Sequence, residues 1–199
     1  MAYKHGVYTT EQPSSVIPPA NVSAGLPVVF GTAPVNRAAD GEGNVNVPVL
    51  CYTYQEAVAA LGYSDNWESY TLCEFMKSHF SLFNMGPVVL VNVLDPTTHK
   101  TDVSAADANI IDGVITIAEK DVILSTLVVK LNAEAEQPLV KDTDYTAAFD
   151  AEGQVVITPT PDGAASSATK LNIAYSKLNP SAVTAADIVG GVDDTTGKP

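Results

Sequence analysis

The chain has 199 residues, 46% hydrophobic and 17% charged, with a mean hydropathy of +0.11, enough apolar material to build a core and exclude wholesale disorder. Ten basic residues stand against 23 acidic ones, a formal net charge of -13, so the surface repels phosphate backbones and anionic membranes and direct nucleic-acid binding is not expected. No apolar run approaches the roughly 20 residues of a membrane span, and the N-terminus shows no signal peptide, so membrane insertion is not expected and the protein is expected to stay in the cytosol where it is made.

Residues 1–22 read as an extended arm. Pro13, Pro18 and Pro19 block helix, while Tyr3, Val7, Tyr8, Val16 and Ile17 supply strand-prone patches that could order on a partner by adding a strand to its sheet. Leu26-Pro27-Val28-Val29-Phe30, ending at Gly31, reads as a buried strand. Residues 34–46 read as loop, and Val47 to Tyr52 as a second strand with Pro48 near its start. Thr53 is placed to cap a helix from Tyr54 to Leu61, with Glu56 completing a capping box and Gly62 stopping it. A longer helix is expected from Trp67 to Asn84, with Leu72, Phe75, Met76, His79, Phe80 and Phe83 on one apolar face. Val88 to Val93 then reads as another buried strand. Residues 23–96 thus form a strand-strand-helix-helix-strand block, part of an α/β layer.

After Asp95-Pro96 the pattern becomes β. Strands are expected at Val114 to Ile117 and at Val122 to Leu131. A hairpin pairs Asp144–Phe149, with Tyr145, Ala147 and Phe149 on one face, against Gln154–Thr158 across the turn at 150–153. Lys170 to Ser176 alternates, with Leu171, Ile173 and Tyr175 inward. The fold class is therefore α+β: an N-terminal arm (1–22), an α/β block (23–96), an antiparallel β-sandwich or barrel (97–181) and a polar tail (182–199) in which Thr184 can cap one turn holding Asp187 and Ile188.

No catalytic, cofactor-binding or metal-binding constellation emerges. Cys51 and Cys73 cannot complete a tetrahedral metal site; they read as reduced, buried apolar residues on a strand and a helix facing one core. His5, His79 and His99 have no ligand partner at suitable spacing. Asp107 with Asp112, or Asp142 with Asp144, lacks the glycine and closing glutamate of a calcium loop, and Asp193-Asp194 is equally unspecific. Gly41-Glu42-Gly43 lacks the rest of a phosphate loop, and Ser125 and Ser176 lie in strand patterns, not at nucleophile elbows.

Two stretches, taken as an ordered set, carry a family resemblance. One runs from Met1-Ala2-Tyr3-Lys4-His5-Gly6-Val7-Tyr8 through Glu11 to Ala24-Gly25-Leu26-Pro27-Val28-Val29-Phe30-Gly31-Thr32-Ala33-Pro34-Val35. The other comprises Asp144-Tyr145 to Phe149, Gly153 to Thr158, Leu171 to Tyr175, Asn179-Pro180-Ser181, Val183-Thr184 and Asp187-Ile188-Val189-Gly190-Gly191. Their order resembles the N-terminal portion of contractile phage and prophage tail sheath proteins, whose members continue well past this point. The resemblance implies a non-enzymatic subunit that polymerises helically and contracts to drive an inner tube through a cell envelope. Its implied partners are copies of itself, the tail tube protein, and baseplate and tail terminator proteins, without cofactors. The implied location is the virion tail or a phage-tail-like particle, after assembly in the host cytoplasm. Residues 3–20 would supply the inter-subunit arm, and the β domain would be an insertion facing outward. The competing reading, a surface adhesin or carbohydrate-binding β-module, would need an exposed aromatic platform, whereas Tyr145, Phe149 and Tyr175 fall on inward faces.

Overall fold

A computed structural model describes residues 25–39 and 43–189. It is an α+β protein with nine strands, three α-helices and shorter helical turns among the described residues. The first sheet has the order β1-β3-β2, with β1 at Val28–Gly31, β2 at Val49–Cys51 and β3 at Val88–Asn92. β1 runs parallel to β3, Val28 opposite Val89 and Phe30 opposite Val91, while β2 is antiparallel to β3 with Leu50 opposite Val89. Val29, Val49, Cys51, Val88 and Leu90 point to one side, into a core shared with Ala57, Leu61, Leu72, Cys73 and Met76 of the two helices that cover it.

α1 spans Tyr54–Leu61, bounded as its local signals require. The Glu56 amide donates to Thr53 Oγ1 (3.2 Å) and the Tyr52 amide donates to Glu56 Oε2 (2.8 Å), a variant of the capping box in which the carboxylate takes the amide one residue before the N-cap. Gly62 ends the helix at φ 75°, where a Cβ would collide with the Pro34 carbonyl.

The second helix departs from its expected 67–84 span. α2 covers only Thr71–Met76, and a π-helical segment follows at Lys77–Leu82. Its start is set from outside: the Leu72 amide donates to the Thr32 carbonyl (3.0 Å) and the Thr71 amide to Thr32 Oγ1 (3.2 Å), so β1's exit satisfies the helix's first donors. Upstream, Asn66 Oδ1 accepts the Ser69 amide (3.4 Å) and holds a turn that competes with helix. Beyond Ser78 the wider π spacing, closed by the Phe83 amide on the Ser78 carbonyl, rotates the face. Phe83 ends up exposed instead of in the core, while Phe80 stays buried. The expected loop at 34–46 also contains a buried 3-10 turn, Val35–Arg37, and the first two strands are shorter than expected.

The β region holds two three-stranded antiparallel sheets, β4-β9-β6 and β5-β8-β7. Their members are β4 (Lys100–Asn109), β5 (Ile115–Ile117), β6 (Val122–Lys130), β7 (Tyr145–Phe149), β8 (Val155–Pro159) and β9 (Lys170–Leu178). Both sheets feed a second core of Ile115, Val122, Val129, Tyr145, Val155, Ile157, Ala165, Leu171 and Ile173. The hairpin forms as expected, Ala147 opposite Ile157. β4 was not expected from the sequence. It is a nearly all-exposed edge strand with a bulge between Val103 and Ala106, held by main-chain pairing to β9 from Lys100↔Leu178 to Asn109↔Lys170. Charged, bulged edges of this kind resist further strand addition. β9 is buried on both sides. Leu171 and Ile173 enter the second core as expected, whereas Asn172 and Ser176 are also buried and Leu178 enters the first core. The chain enters and leaves the β region at one place, where the Asn179 amide donates to the His99 carbonyl (2.9 Å). α3, Ala185–Val189, closes the described chain; the Thr184 amide and hydroxyl both donate to Asp187 Oδ2.

Candidate assembly surface

β3 is apolar on both faces, a pattern that requires cover on both. The helices cover one. On the other, Val28, Phe30 and Leu50 are 53%, 49% and 46% exposed around half-buried Val89. β1 is a terminal strand: the Val89 and Val93 amides donate to the Pro27 and Gly31 carbonyls, so the alternate groups of Val28 and Phe30 point away from the sheet. An apolar face beside a parallel edge that no other described strand pairs can accept another strand or a packed element. Against this edge lies a cleft of about 450 Å³ lined by Phe30, Gly31, Thr71, Val93, Val183 and Ile188, which brings the segment holding Val183 and Ile188 alongside β1. Just after β2, Tyr52 lines a shallow cleft with Met85, and both are exposed, as are Leu82 and Phe83. Sequence periodicity hid this exposure, because it assigned Phe83 and the first-strand residues to the interior.

The residues considered for chemistry have structural partners. Cys51 and Cys73 are free thiols buried in the first core; burial pushes Cys73 up to about 11 and raises Cys51 as well, so neither is a ready nucleophile. His79 stacks on Phe75 with ring centroids 4.8 Å apart and meets Phe80 edge-on. His99 is buried; its Nδ1 accepts the Asp95 amide (3.0 Å), which leaves Nε2 facing Asp187 Oδ2 at 3.6 Å. This pair ties the entry of the β region to α3. The Thr184 amide and hydroxyl hold the Asp187 carboxyl below the usual range, with His99 adding to the effect. Asp107 bonds Lys170 Nζ (2.6 Å) and Asn172 Nδ2 (2.9 Å) across β4 and β9, apart from Asp112, which sits in a turn at φ 52°. Asp144 accepts the Ala164 and Val140 amides and ties two loops. Ser176 Oγ donates to Asp102 (2.7 Å), and Ser125 is exposed on β6. Among the described residues no three His, Cys, Asp or Glu side chains gather to hold a metal, and no helix is long and apolar enough to cross a membrane. The arm residues Tyr3, Val7, Tyr8, Val16 and Ile17, with His5, Gly41-Glu42 and Asp193-Asp194, lie outside the described residues.

The chain is 27% identical over 191 residues to the tail sheath protein of Burkholderia phage BcepMu. The match takes in 96% of this chain and 37% of that protein, so the chain spans little more than a third of the relative's length. The resemblance to a phage tail sheath protein that the order of segments implied is borne out by this similarity. No protein-family model matches the chain, and no solved structure matches it.

Proposed function

We propose that this chain is the N-terminal portion of a contractile tail sheath subunit, a structural and non-enzymatic component of a phage tail. In this reading it polymerises helically around a tail tube, with baseplate and terminator proteins at the ends, after assembly in the host cytoplasm. The observation that carries the reading is the similarity to the BcepMu tail sheath protein along nearly the whole chain. The exposed apolar face of the first sheet, and its β1 edge, which no other described strand pairs, support it, because such edges suit heterologous contacts that do not close and so build a filament. Residues 1–22 are proposed as the linking arm, with Tyr3, Val7, Tyr8, Val16 and Ile17 entering a neighbour's sheet. Residues 23–96 and 182–199 are proposed as parts of one sheath domain, whose remaining elements would cover the face around Phe30. Residues 97–181 are proposed as an inserted β-sandwich facing outward; the shared entry and exit at His99 and Asn179 favours an insertion. The adhesin reading gains nothing, since Tyr145, Phe149 and Tyr175 pack in or against the second core.

The test is electron microscopy of the full-length protein co-expressed with its tail tube protein, with and without residues 1–20. Hollow ribbed cylinders are expected from the intact protein. The arm deletion is expected to leave folded subunits that form none. Normal cylinders from the deletion would end the arm assignment, and an intact protein that never polymerises would end the sheath reading.

A further inference from the structure

The two cores meet along a seam made partly of apolar contact and partly of directed hydrogen bonds. The apolar part is short. Neighbouring residues of β6 divide between the cores, Val122 entering the second and Ile123 the first, and Leu178 at the end of β9 joins Ile123. Contact of this sort is non-directional and leaves the angle between the units weakly defined. The directed part starts from the buried 3-10 turn Val35–Arg37. Asn36 Nδ2 donates to the Val122 carbonyl (3.0 Å). Tyr70, fully buried beside α2, donates its hydroxyl to Asp121 Oδ1 (2.6 Å).

Arg37 reaches furthest. It is the one arginine in the sequence, and among the described residues its hydrogen bonds go to backbone carbonyls on three separate loops. Nη1 donates to Tyr63 (3.3 Å) in the α/β layer, Nε and Nη2 to Lys120 (3.3 and 3.0 Å) ahead of β6, and Nη2 to Gly153 (3.4 Å) in the β7–β8 turn. The turn is shaped to receive it: Gly153 is buried at φ 81°, and a Cβ there would fall on the guanidinium carbon. A planar fork with donors in fixed directions can fix three loops at once, whereas a lysine ammonium on the same stem cannot span them.

We propose that Arg37 is an orienting pin that locks the double-sheet β unit at one angle to the small α/β layer, so that the β unit is carried as a rigid body by whatever moves the layer. The pin acts within one chain and does not depend on the sheath reading.

Residual dipolar couplings of backbone amides test it directly, since they report orientation and not stability. In the intact chain one alignment tensor is expected to fit both units. Arg37→Ala and Arg37→Lys are each expected to require two tensors, with reduced alignment in the β unit. If Arg37→Ala does not fold, Arg37→Lys, which keeps the charge and the stem, decides alone. Leu90→Ala loosens the first core while leaving the hydrogen bonds of Arg37 in place, and is expected to keep a single tensor. The proposal is overturned if the intact chain already needs two tensors, if the folded Arg37 variants keep one, or if Leu90→Ala loses it as they do.

Discussion

The small α/β layer and the double-sheet β unit bury apolar strands by different means. In the β unit both sheets feed one core, and Leu171, Ile173, Val155 and Ile157 are closed in by partners from within the chain. In the α/β layer α1 and α2 close one side only, and Val28, Phe30 and Leu50 stand at the surface on the other. The difference separates two uses of a strand. One region spends its apolar residues on its own stability, while the other leaves some unspent, which suits contact with further polypeptide.

Removing one large apolar side chain from each place sharpens that contrast. Leu171→Ala, at a fully buried position, is expected to cost about 2–5 kcal/mol in urea unfolding. Phe30→Ser removes a larger side chain from the open face, yet is expected to stay within about 0.5 kcal/mol of the parent. It should also lower any self-association seen by sedimentation velocity. Equal losses from the two variants would mean that the face around Phe30 is already covered.

A smaller effect belongs to the helix that closes the layer. Thr53→Ala is expected to cost about 1 kcal/mol, because the Glu56 amide loses its acceptor and the bond from the Tyr52 amide remains. Thermal unfolding of the variant beside the parent would measure it, and an unchanged midpoint would remove the cap from the account of the layer.

The smallest expected effect separates the units by pH. The Ala164 and Val140 amides hold the Asp144 carboxyl below its usual range. Its folded-state pKa is therefore depressed, so its stabilisation is fully present above the ordinary carboxylate value of about 4 and fades as pH falls through the folded value. Asp144→Asn should flatten that part of the acid limb in a denaturation series followed from pH 7 downward, in probes of the β unit. An acid limb unchanged by the substitution would place the sensitivity elsewhere.

Some of this molecule was legible from the chain alone. The cap Thr53, the stop at Gly62 and the inward alternation of Leu171 and Ile173 depend on residues close in sequence, so local chemistry was sufficient to find them. The candidate assembly face was only half legible. The apolar character of Val28 to Phe30 was plain, but whether anything covers it depends on how many layers the sheet receives. The arm at Tyr3, Val7, Tyr8, Val16 and Ile17 rests on sequence and resemblance, since those residues lie outside the described ones.

By itself the sequence determined the α+β class, the first helix, the hairpin and the inward faces of its best strands, because propensity, capping and period act over a few residues. Only the tertiary structure decided the rest. β4 carries almost no apolar pattern and exists because β9 offers it a ladder. α2 begins at Thr71 because Thr32, distant in sequence, accepts its first amides. Arg37 acquires its role only when the loops at Tyr63, Lys120 and Gly153 converge on it. In each case the deciding partner is far along the chain, and a hydrogen bond or contact across that distance leaves no periodic trace in the local sequence.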